Sequence, residues 1–176
     1  MKYRTASEHD VEAIALLHAD SWRRNYRGAY LDSFLDRDVV ADRLTVWADR
    51  LTQPWSHQYT IVAELDRAVV GFAHTILDDD PTFGALLENL HVAHHLKRHG
   101  TGTRLMSETA GVLLARRPST GLYLWVLEQN ATAQAFYTAR GGTAVERAVR
   151  GPFPGGGTAP GLRYAWHDPS NLLTGD

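Results

Sequence analysis

A chain of 176 residues can bury one core without disulfides or metals, and no break in composition marks a second domain. Its 18 Lys and Arg nearly cancel 20 Asp and Glu, which excludes a broad field for nucleic acid or an anionic membrane, so partners must be recognised locally. Cysteine is absent, and with it any disulfide framework, thiolate metal site or cysteine nucleophile.

Met1 to Thr5 lack the apolar core of a signal peptide, and no apolar run approaches the ~20 residues of a membrane span, so a cytoplasmic location is expected. Lys2 to Ala6 reads as a short strand. Ser7 is placed to cap a helix in which Val11, Ile14, Ala15, Leu17 and His18 follow helical spacing, with its end expected near Asp20. From Ser21 to Trp55 the pattern is helical in part. Leu31, Phe34, Leu35, Val39, Val40, Leu44 and Trp47 are its inward positions and Pro54 its stop. Gln58 to Leu65 and Ala68 to Leu77, rich in β-branched and aromatic residues, flank Asp66-Arg67 as a hairpin would. Asp78-Asp79-Asp80-Pro81 is expected to break the sheet.

Ala85 to Val92 reads as the next strand and runs through a basic, glycine-bearing loop into a helix over Thr101 to Arg116. That helix sets Leu105, Met106, Thr109, Ala110, Leu113 and Leu114 on one face, as packing on a sheet requires. Gly100 and Gly102 permit a tight turn and a close backbone approach, while the free N–H groups and positive end of the helix face outwards. Lys97 to Arg104 is therefore a candidate anion-holding loop, although a tight turn needs small residues whether or not anything binds. Four of the nine histidines lie between His91 and His99, but no carboxylate or cysteine stands at ligand spacing there, so no metal is expected.

Leu122 to Asn130 is a strand ending in a polar turn, Ala131 to Arg140 a short helix carrying Ala135-Phe136-Tyr137, and Gly141-Gly142 its stop. Strands are expected near Thr143 to Arg150 and Leu162 to His167, joined by the breaker-rich loop Gly151 to Gly161, with a frayed tail over 168–176.

The order strand, glycine loop, helix, strand, Asn-started helix with Ala-Phe-Tyr, then Gly-Gly resembles the GNAT acetyltransferase superfamily over nearly the whole chain. Ser21-Trp22 followed by Tyr26-Arg27-Gly28 is similar to that family's opening. The resemblance implies an α/β fold, a single domain over 1–167 with a mixed, mostly antiparallel sheet and helices on both faces. It implies acetyl-coenzyme A as cosubstrate, its pyrophosphate on the amides of His99, Gly100, Thr101, Gly102, Thr103 and Arg104. Its pantetheine arm would lie along Leu90, His91 and Val92, with Asn130 near the arm's amides. Two departures stand out: Lys97 replaces the family's Arg or Gln, and a bulky Arg98 follows where Gly is common.

The reaction so implied, N-acetylation of a primary amine on a small molecule or peptide, needs two proton movements. A lysine-like amine, with a pKa near ~10.4, must lose a proton before attack. Glu88 is the candidate base, since two residues before Leu90 would share its strand face; the family's usual acid falls nearer Leu86. His91 and His74 are the runners-up. Tyr137, in the family's matching position, is the candidate acid for the departing thiolate, set against a role as a core tyrosine with its hydroxyl bonded to backbone. Trp22, Tyr26, Trp47, Trp55 and Phe83 are candidates for the acceptor pocket, and the Asp78 to Asp80 run could draw a cation. A non-catalytic coenzyme A sensor is the alternative, and a nucleotide-binding module is disfavoured because no Lys-Ser/Thr pair follows the glycines. Acceptor identity stays open, as does oligomeric state, a homodimer included.

Overall fold

The computed structural model describes residues 1–53 and 56–173, so the expectations for Pro54, Trp55 and 174–176 fall outside the described residues. Seven strands form one sheet: β1 (Lys2–Thr5), β2 (Gln58–Leu65), β3 (Ala68–Asp80), β4 (Gly84–Val92), β5 (Leu122–Leu127), β6 (Thr143–Arg150) and β7 (Ala159–Trp166). Their spatial order is β1-β2-β3-β4-β5-β7-β6. All neighbours are antiparallel except β4 and β5. Among the described residues the α-helices are α1 (Val11–Asn25), α2 (Val39–Thr52), α3 (Thr101–Arg116) and α4 (Ala131–Ala139). Among the described residues no helix is long and apolar enough to cross a membrane.

Side-chain alternation along the central strands builds two cores. Ile61, Ala63, Ala73 and Leu87 meet Leu105, Met106, Ala110 and Leu113 of α3 on one face. Val62 and Phe72 meet Ile14, Ala15 and Trp47 of α1 and α2 on the other. The hairpin at Asp66-Arg67 is present, both residues taking the left-handed backbone that a tight two-residue turn demands.

Four expectations are corrected. The first helix does not end near Asp20 but continues to Asn25, with Ser21 inside it and its hydroxyl bonded to His91 of β4. The acidic run does not break the sheet; β3 continues to Asp80, with Asp78 ion-paired to Arg117, Asp79 hydrogen-bonded by Tyr123 and Asp80 paired with Arg163. β7 begins three residues early, at Ala159. The expected tail is anchored as far as Leu173, since Pro169–Leu172 forms a 3-10 turn that buries Leu172 in the core shared with α3.

Two features of β4 position the site. Its pairing with β5 is confined to Ala85 with Leu122 and Leu86 with Tyr123, after which the strands part and leave a wedge. Its pairing with β3 skips Glu88, since His74 faces Asn89 and Thr75 faces Leu87. That extra residue is a β-bulge, and it reverses which residues face which core.

Candidate active site

At the mouth of the wedge, Gly100 (φ +82°) caps α3 and Arg98 (φ +67°) precedes it in the same left-handed region. The backbone N–H groups of Arg98 through Thr103 donate to no described residue. A run of unpaired donors at the positive end of a 16-residue helix favours an anion there. Lys97, Arg98 and His99 are exposed around it, with His99 Nδ1 donating to the Lys97 carbonyl at 2.9 Å. Thr101 is buried, so only its backbone faces the loop, while Arg104 Nε is engaged by Glu108 at 2.8 Å. Gly102 lies where α3, α4 and β4 converge: a Cβ there would sit 3.4 Å from Phe136 and 3.9 Å from Val92.

Inside the wedge, Tyr137 of α4 packs its ring against Phe136, Tyr164 and Trp166. Its hydroxyl makes no hydrogen bond to a described residue, so the backbone partner expected of a structural tyrosine is missing. Burial, helped by the nearby Tyr26 hydroxyl, pushes its ionisation upwards, and Tyr26 itself is pushed up to about 12 by burial. Asn130 caps α4, its side-chain oxygen accepting from the Ala133 amide at 3.2 Å, which leaves its NH₂ group over. Gln129 donates to the carbonyls of Asn25 and Arg27, tying the end of α1 to the β5–α4 turn and so holding Tyr26 near Tyr137.

The α1/α2 side of β4 is lined differently from expectation. Glu88 does not share a face with Leu90: the bulge turns Leu90 towards the α3 core, whereas Glu88 forms an ion pair with Arg50 of α2 at 2.6 Å. His91 follows the bulge on the α1 side, half-buried, with Nδ1 2.7 Å from Ser21 Oγ. Burial, with the charges of Lys97 and Arg43, pushes it down to about 3, so it is neutral at physiological pH. His74 is 1% exposed, bonded to Thr60 and packed edge-on to Trp47, out of reach of an acceptor. Trp47 is wholly buried, its indole donating to His18 Nδ1 at 3.0 Å. Phe83 lies under Arg163 at the β3–β4 turn, beyond the opposite end of β4. Of the proposed aromatic residues that are described, Trp22 and Tyr26 border this side. They are joined by Tyr30, Phe34 and Phe153, which sequence reasoning missed; Phe153 stacks on Tyr30 at 4.4 Å. Among the described residues no cluster suited to a metal occurs.

The buried histidines make the fold acid-sensitive. His74 is pushed down to about 3 and His18 well below its usual range, chiefly by burial. Between about pH 6.5 and 3 the unfolded chain therefore binds protons that the folded chain refuses, and stability falls as pH falls through that window. For His74 the cost is expected to be about 2 kcal/mol at pH 5. Urea midpoints at pH 7 and 5 check this. His74→Gln should flatten the dependence, and equal midpoints at both pH values would contradict it.

A profile of the acetyltransferase (GNAT) family matches residues 17–141. The chain is 28% identical over 141 residues to a probable N-acetyltransferase of Mycobacterium tuberculosis, covering 78% of this chain and 76% of that protein. An uncharacterised N-acetyltransferase of Bacillus subtilis is 28% identical over 139 residues, covering 77% and 76%. Among solved structures, the PaiA N-acetyltransferase of Thermoplasma acidophilum in complex with coenzyme A superposes with a TM-score of 0.75. It is 17% identical, over 94% of this chain and 98% of the other.

Proposed function

The chain belongs to the GNAT family of acetyltransferases, and on that premise we propose that it moves an acetyl group from acetyl-coenzyme A to a primary amine. The acceptor is a small molecule or peptide, and transfer is by direct attack when both substrates are bound. The observation that carries this reading is the run of unpaired N–H groups from Arg98 to Thr103 at the mouth of the β4–β5 wedge. Those groups fit a pyrophosphate, with Lys97 as a further charge, and the unpaired edge of β4 from Leu90 to Val92 fits an amide-bearing arm.

The cosubstrate supplies an activated thioester; the chain binds it and manages protons. Tyr137 keeps its proton at physiological pH and holds it, unshared, at the wedge. A thiolate forming in the same desolvated space becomes a stronger base, and the Tyr137 hydroxyl is the donor placed to supply the proton it takes up. On the α1 side, His91, steadied by Ser21 and kept neutral by burial, is placed to accept a hydrogen bond from the acceptor amine, whose proton passes on to water. Glu88, committed to Arg50, serves to orient the acceptor instead.

Acetyl-coenzyme A at ~100 times its dissociation constant should add about 2.7 kcal/mol and raise the melting temperature by roughly 5–10 °C. ATP should do much less, and equal shifts with both would remove the donor assignment. An amine panel read by thiol release tests transfer. Binding without release from any amine would favour the sensor alternative.

A further inference from the structure

A buried cation on the α1/α2 side of the wedge says which amines fit. Arg43, the fifth residue of α2, is 8% exposed at its side chain, and its guanidinium lies 4.2 Å over the Trp22 ring. A guanidinium carries five N–H donors, and burying it demands that they be matched. Two are: Nε and Nη2 both donate to Asp42 Oδ2, at 2.7 and 2.5 Å. The other three have no partner among the described residues.

Nη1, which carries two of those donors, is not sealed in: it makes no hydrogen bond to a described residue and is not among the buried polar atoms that lack partners, so it still reaches solvent. The guanidinium lies near the reacting groups, because the Trp22 ring beneath it is 4.6 Å from His18 and 4.8 Å from Tyr30, and His18 is in turn 4.6 Å from His91. A purely structural arginine would be closed by a second acceptor from the protein, and none is provided.

Resting on the acetyltransferase reading above, we propose that Arg43 binds a carboxylate of the acceptor, so that the substrate class is amino acids and amines of like build, not polyamines. The free edge of the guanidinium receives the two oxygens side by side. The acceptor's amine then lies towards His91, and its side chain meets the apolar rings of Trp22, Tyr30 and Phe153.

The experiment measures binding and turnover separately. Wild-type protein with saturating coenzyme A is titrated with L-phenylalanine, L-leucine and L-methionine, each beside its amide, and followed by calorimetry. Thiol release from acetyl-coenzyme A is measured with the same pairs. The expected result is at least a tenfold preference for one or more acids over the amide in both readouts. Arg43→Lys, which keeps a charge but loses the paired donors, should collapse the acid-to-amide ratio through the acid's KM while the coenzyme A shift is retained. Equal affinity for acid and amide, binding of neither, or a preference that survives Arg43→Lys overturns the proposal. The acid-to-amide ratio of wild type needs no variant to fold. Loss of the coenzyme A shift in wild-type protein would instead strike the acetyltransferase reading, a result the calorimetric baseline separates.

Discussion

Tyr137→Phe lowers the turnover number by about 10²–10⁴-fold while leaving the affinity for acetyl-coenzyme A and the melting temperature near wild type. The substitution keeps the ring, and with it the contacts to Phe136, Tyr164 and Trp166. It removes only a hydroxyl with no hydrogen bond to a described residue, so no buried partner is orphaned by its loss. That makes the variant a clean probe: a structural hydroxyl would have had a partner, and its removal would cost stability. Single-turnover measurements at saturating substrates separate the two roles. A fall in rate matched by a fall in melting temperature would return Tyr137 to the core, and an unchanged rate would take it out of the mechanism.

The fold was legible wherever one residue type settles a local choice. Asp66-Arg67 between two alternating runs allows little but a tight hairpin, and the inward face of α3 follows from helical spacing alone. What could not be read depends on partners distant in sequence. The helix was expected to end near Asp20, yet it runs on through Ser21, whose hydroxyl is engaged 70 residues away by His91. The bulge at Glu88 carries no glycine to announce it, and a single inserted residue inverted the face assigned to that carboxylate. Arg43 was passed over because a charged residue in a helix is ordinarily solvated; only its stacking on Trp22 shows it to be buried.

The same structural detail changes which glycine best tests the anion loop. At Gly102 a β-branched side chain would press on Phe136, so lost binding there could arise from repacking. At Gly100 a Cβ meets no protein atom within 4 Å, and the space it enters is the space assigned to the phosphates. Gly100→Ala is therefore expected to weaken acetyl-coenzyme A binding by about 10²-fold, the loss of one or two charge-assisted hydrogen bonds. The left-handed backbone at φ +82° adds strain of about 1–2 kcal/mol that has nothing to do with ligand. Gly28 supplies the control, since it has the same φ of +82° and equally open surroundings but lies in the turn after α1, away from the loop. Gly28→Ala should lose comparable stability and keep its affinity for the cosubstrate. If titration calorimetry finds the two variants equally weakened, backbone strain explains the loss. If Gly100→Ala binds as wild type does, the loop is a turn and the phosphates lie elsewhere.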